Sequence, residues 1–83
     1  MRYEMFTIHD VKAEAFMPPF VQANQNTAKR QFAEAVNNPD TPIGKHPQDY
    51  TLFSIGHYSE AKGEIKTHDK LTVGNGMEFL NSE

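Results

Sequence analysis

The stretch Asn-Asn-Pro-Asp-Thr-Pro-Ile-Gly-Lys-His-Pro-Gln-Asp-Tyr-Thr-Leu-Phe, residues 37–53, holds three of the chain's five prolines and then turns into an apolar, β-prone run. Pro39, Pro42 and Pro47 each fix φ and remove a backbone donor, so neither a helix nor a central strand runs through them. The segment therefore reads as a connector. It separates a first half that ends in a helix from a second half that reads as a hairpin.

Before the connector, residues 2–9 carry the β-favouring Tyr3, Phe6, Thr7 and Ile8. Alternation puts Glu4, Phe6 and Ile8 on one face and Tyr3, Met5, Thr7 and His9 on the other. Both faces hold apolar bulk, which predicts a strand covered on one side and partly covered on the other. Residues 10–13 read as a turn and 14–21 as a second extended segment. Pro18 and Pro19 confine that segment to a sheet edge, where missing ladder donors cost least. Asn24 or Asn26 then caps a helix. Within it Ala28, Phe32, Ala35 and Val36 fall at i, i+4, i+7 and i+8, one apolar stripe, with Phe32 at its centre as a core residue. Burying that one ring is worth about 1.5–3 kcal/mol. Asn37-Asn38-Pro39 stops the helix, because Asn tolerates the left-handed conformation and the residue before proline avoids α.

After the connector, residues 50–58 give the strongest strand pattern. Simple alternation groups Thr51, Phe53, Ile55 and His57 against Tyr50, Leu52, Ser54, Gly56 and Tyr58. Residues 59–63 form a turn, with Gly63 suited to the left-handed position of a bulged hairpin. Residues 64–67 pair back as a shorter strand, residues 68–72 continue extended, and Gly74-Asn75-Gly76 breaks the run. Phe79 and Leu80 either pack back on the domain or reach a second subunit. The expected architecture is α+β: two β-hairpins joined by one helix, giving a mostly antiparallel sheet with the helix on one face. The 83 residues are expected to form one small domain, with 75–83 as a flexible or partner-packing tail.

A chain this short buries only about 60–65% of its unfolded surface. A single core of that size supplies roughly 3–5 kcal/mol, commonly supplemented by disulfides, metal or a partner subunit. Cysteine is absent, so self-association, as a dimer, is the expected supplement. No run approaches the length of a membrane span and the N-terminal residues lack a signal-peptide layout, which points to a soluble intracellular protein. Net charge is −3, and only residues 25–38 are locally basic. Bulk electrostatics thus argues against strong nonspecific DNA binding by a monomer.

His9, His46, His57 and His68 show no metal-ligand spacing, and the Ser, Asp and His residues are scattered, so neither a metal, a cofactor nor catalysis is expected. Nine aromatics remain. A sheet can hold single-stranded nucleic acid by stacking bases on exposed aromatics beside cations. Tyr3, Tyr50 and Tyr58 are the candidates, with Arg2, Lys45 and Lys66 nearby. The alternative is that most aromatics build the core and the tyrosines rim it.

Three ordered motifs add a resemblance. Residues 12–20, Lys-Ala-Glu-Ala-Phe-Met-Pro-Pro-Phe, 32–39, Phe-Ala-Glu-Ala-Val-Asn-Asn-Pro, and 45–53, Lys-His-Pro-Gln-Asp-Tyr-Thr-Leu-Phe, followed by Gly56 and an acidic turn, resemble the small nonstructural protein of gokushoviruses. Gln48 stands where that family carries Glu. The resemblance spans roughly residues 3–63. It implies a noncatalytic phage protein that assists DNA replication in the cytoplasm of the infected bacterium, at the switch to single-stranded genome synthesis. Its partner would be DNA, single-stranded in preference to double-stranded. The residues expected to contact it are Arg2, Lys29, Arg30, Lys45, Tyr58 and Lys66. The rival expectation is a protein–protein adaptor that recruits a host replication factor or a viral assembly factor without touching DNA. The motifs also have a structural reading, in which His46-Pro47-x-Asp49-Tyr50 is a turn tied by the Asp49 side chain.

Overall fold

β1 (Arg2–Asp10) is the strand on which the sheet is built. The computed structural model describes residues 2–80. After β1 come β2 (Ala15–Phe16), β3 (Phe20–Gln22), α1 (Gln25–Val36), α2 (Pro42–Lys45) and a 3-10 turn at Pro47–Asp49. β4 (Tyr50–Ser59), β5 (Glu64–Asn75) and a second 3-10 turn at Gly76–Phe79 complete the order. All pairings are antiparallel: β2 and β3 share one edge of β1, β4 lies on its other side, and β5 forms the far edge. The architecture is the expected α+β arrangement, with α1 against one face. The residues of 14–21 split into β2 and β3, because Pro18 and Pro19 interrupt the ladder. The Thr7 hydroxyl bridges that gap by donating to the Met17 carbonyl at 2.7 Å.

The apolar stripe of α1 does what its spacing requires. Ala28, Phe32 and Val36 bury against Phe6, Ile8 and Leu52, with Ile43 of α2 closing one side. Asn24 is the cap, its Oδ1 accepting from the Thr27 N–H at 2.8 Å. The ring of Phe79 packs edge-on to Phe32, centroids 5.3 Å apart, so this part of the tail folds back on the domain. Leu80 remains exposed. Residues 81–83 of the expected tail lie outside the described residues. At about 1.5 Å per residue α1 is roughly 18 Å long, whereas β4 at about 3.4 Å per residue spans roughly 34 Å. The helix therefore covers about half the sheet's length.

Several local expectations are corrected. Asn37 is not left-handed, with φ −92° and ψ 5°; its side-chain amide stops the helix by donating to the carbonyls of Ala33 and Phe79. The connector contains a helix after all: Pro42 opens α2 at the first turn, where a missing N–H costs nothing, and Thr41 Oγ1 accepts from the Gly44 N–H at 2.9 Å. The turn at residues 46–50 is tied through the Asp49 backbone, whose N–H donates to His46 O and whose carbonyl accepts from Val11 N–H. Gly74 and Asn75 belong to β5, and the break comes after them at Gly76, where a Cβ would lie 2.1 Å from the Pro47 carbonyl oxygen. Gly63 has φ +65°, as its turn requires.

The largest correction concerns the faces of β4. Met5 pairs with Gly56 but Phe6 pairs with Ser54, so Ile55 is an extra residue in β4. Such a bulge breaks the two-residue alternation and re-aims the side chains beyond it. His57 therefore does not share a face with Thr51 and Phe53. It joins Glu4 and the helix side of the sheet, while Gly56 and Tyr58 cross to the face of Tyr3 and Met5. β5 answers with a wider bulge: His68, Asp69 and Lys70 lie between Thr67, opposite Gly56, and Leu71, opposite Ser54. His68 pins it, with Nδ1 2.8 Å from the Asp69 carbonyl and Nε2 3.4 Å from Ser54 Oγ.

Candidate nucleic-acid interface

The sheet face away from α1 carries an aromatic strip assembled by strand register. Tyr3 and Tyr58 are cross-strand partners with ring centroids 6.5 Å apart, and Ile65 lies opposite Tyr58 on β5. Toward the other end Phe16 packs against His9 at 4.5 Å and edge-on against Phe53 at 5.8 Å. Between the two groups Met5 and Thr7 are buried. The sheet curls, bringing residues of its two edges together over this face. Lys70 from the β5 bulge sits with Nζ 5.5 Å from the centre of the Phe16 ring in β2. An exposed contact of this kind is worth about 0.5–1 kcal/mol. A groove of about 510 Å³ runs beneath it, lined by Thr7, Phe16, Met17, Pro18, Pro19, Ile55 and Lys70.

Phe16 is 47% exposed and lies beside the exposed Met17 along this groove. A face with half-buried tyrosines at one end, the exposed Phe16 at the other, an apolar floor and a cation above one ring has the chemistry for stacking unpaired bases. Tyr50 has no part in it. It is packed against the hydrophobic core on the helix side. Its phenol is held above its ordinary pKa, first by burial and then by the charge and hydrogen bond of Asp10, with Asp49 adding to the effect. Tyr50 is thus a structural ring, and the stacking candidates among the tyrosines reduce to Tyr3 and Tyr58.

The six residues expected to contact DNA fall into separate groups. Arg2 and Lys66 line one small cleft at the hairpin end, on the helix side of the sheet, together with His57, Ser59, Lys62 and Glu64. Tyr58 is at the same end on the open face. Lys29 and Arg30 belong to α1 and Lys45 to α2; Arg30 borders a shallow surface depression with Ala33, Glu34 and Asn37. Phe16, Phe53, Lys70, His57 and Lys62 escaped the sequence reading. Phe53 was legible in principle, since it alternates with Thr51 on a strand already assigned. Lys70 and His57 were not, because two bulges decide where they point.

Among the described residues no helix is long and apolar enough to cross a membrane. The family described as phage ORF5 protein matches residues 3–79. No curated protein and no solved structure matches the chain.

Proposed function

The chain belongs to the phage ORF5 protein family, and from that premise we propose that it is a noncatalytic protein that holds single-stranded DNA on the open face of its sheet during viral genome replication. The observation that carries the reading is the aromatic strip: Tyr3 and Tyr58 at one end, Phe16 and Phe53 at the other, with Lys70 over Phe16. Exposed rings on a sheet stack with bases of any identity, because every base has a π-face. The motif resemblance to gokushovirus nonstructural proteins supports a place at the switch to single-stranded synthesis, in the host cytoplasm. Pairing of two copies would set two such strips side by side and concentrate their few cations, which suits a chain of net charge −3.

The test is a labelled oligothymidylate, long against the roughly 4–16 nucleotides that one small sheet domain occupies, titrated at rising salt. Binding should weaken with a log–log slope of about −0.7 per phosphate contact. Replacing Tyr58 or Phe16 by Ala should cost about 5- to 150-fold, the equivalent of the roughly 1–3 kcal/mol that one stacked base contributes. Absence of binding at low salt, or binding indifferent to salt, rejects the reading. The adaptor reading is favoured by exposed Met17 beside Phe16, with Val11 and Val21 also exposed. Capture of the same partner before and after nuclease treatment would select it.

A further inference from the structure

We propose that the cleft on the helix side of the hairpin end, lined by Arg2, His57, Ser59, Lys62, Glu64 and Lys66, is a phosphate-binding site. Three strands and a turn deliver its donors. His57 of β4 lies opposite Lys66 of β5 and opposite Glu4 of β1, while Ser59 lies opposite Arg2 and Glu64. Lys62 arrives from the turn, whose backbone N–H donates to Ser59 Oγ at 3.2 Å; the Ser59 hydroxyl proton remains a donor toward the cleft.

The bulge at Ile55 makes this assembly. Without it, alternation would carry His57 and Ser59 to the open face with Phe53, away from Arg2. Gly56 serves the same geometry: a Cβ there would meet the Lys66 carbonyl oxygen at 2.3 Å, so its absence lets β5 close on β4 beside His57. The same bulge sets Tyr58 beside Tyr3 on the open face, whereas on the helix side the hydrophobic core ends at Phe6 and gains nothing from His57 and Ser59.

Size and charge define the ligand. The cleft measures about 150 Å³, room enough for a tetrahedral oxyanion. Three permanent cations face Glu64, and Glu4 sits 3.8 Å from Arg2. That pair is loose and largely exposed, so its mutual attraction is small and a denser anion competes for the guanidinium. Arg2 offers a planar two-pronged donor and the lysines offer point charges, the combination suited to phosphate oxygens. Two sources present such a phosphate, a strand terminus and the backbone of a strand held on the opposite face, and only the second depends on the function proposed above.

Titration of the full chain with inorganic phosphate, followed by amide and side-chain NMR, tests the site. The resonances of Arg2, His57, Lys62 and Lys66 should move together while those of Tyr3 and Phe16 stay. Lys62→Glu/Lys66→Glu should weaken phosphate binding about tenfold or more, with a wild-type circular dichroism spectrum. Short oligothymidylates with and without a 5′ phosphate then separate the sources: a clear preference for the phosphorylated strand assigns the terminus, and equal affinity lost in the double variant assigns the backbone. Phosphate that leaves the four resonances unmoved, or binds the double variant as well as wild type, overturns the proposal. Tyr3→Ala/Tyr58→Ala should abolish strand binding and spare the inorganic phosphate response, so the two readings fail separately.

Discussion

At one end of the sheet α1, α2 and the last 3-10 turn press on Phe6, Ile8 and Leu52, and Phe6 and Leu52 retain no accessible surface. At the other end residues 64–72 of β5 are exposed throughout, and Ile65 and Leu71 are each 60% accessible. The same antiparallel ladder runs through both. The contrast separates what specifies the fold from what is spare. The covered end supplies nearly all the buried apolar surface, so its residues answer to packing. The bare end is held by backbone pairing with few side-chain contacts beyond the Tyr3–Tyr58 rings and His68, and its lysine side chains answer to little inside the molecule. Side chains that packing does not need are where a binding surface is free to arise.

The strongest way to test that division is Phe32→Ala. Its ring is 2% exposed and contacts both the sheet side of the core and Phe79. Removal should cost about 3–5 kcal/mol, most of what a domain of this size has, read as a shift in the urea midpoint. A loss below about 1 kcal/mol would mean that the helix is not the element the sheet depends on.

Asn75→Ala should come next. The Asn75 amide donates toward Gln48 O, Tyr50 O and Thr51 Oγ1, its Oδ1 accepts from the Met77 N–H, and Glu78 closes a capping box over it. One residue thus fastens the end of β5 to the connector and to the start of β4. Leaving those partners unsatisfied should cost about 1–3 kcal/mol, with Phe79 loosened from Phe32 as the visible consequence in NMR.

How much of this the sequence disclosed tracks the same boundary. The covered end was legible because its information is local: the spacing of Ala28, Phe32 and Val36 and the cap at Asn24. What failed there was Asn75, read as part of a break, because its partners lie 24–27 residues away and no nearby pattern announces them. At the bare end the pattern itself misled. Alternation assumes a period of two, and whether a bulge interrupts it depends on the neighbouring strand, so the faces of β4 were right up to Ile55 and inverted beyond it. β5 was cut short for a related reason. An edge strand exposed on both faces has no apolar alternation to display, and the motif resemblance also stopped near Gly63, whereas the family match continues to Phe79.

Tyr50 sharpens the comparison through pH. Burial and Asp10 hold its phenol above the ordinary value of 10.0, so the folded chain keeps this proton more tightly than the unfolded chain. The associated stability is complete below pH 10.0 and is lost as the pH rises through the folded value. Thermal melts between neutral pH and strongly alkaline solution should therefore fall more steeply for the wild type than for Tyr50→Phe. Identical alkaline slopes would show that Tyr50 is as solvated as a ring at the bare end.

The smallest expected effect is the most discriminating. Ile65→Thr exchanges an exposed apolar residue on the edge strand for a β-branched polar one, and in an isolated chain it should change stability by no more than about 0.5 kcal/mol. The same substitution in a chain whose open face is covered by a second copy would remove buried apolar surface, costing more than about 1 kcal/mol. Mass action would then also make the wild-type melting temperature rise with protein concentration. A negligible cost with a concentration-independent melt leaves the hairpin end bare and available to a ligand. A substantial cost with a concentration-dependent melt moves Ile65 from the spare residues to the structural ones, and the contrast between the two ends would then hold for a single copy but not for the assembly.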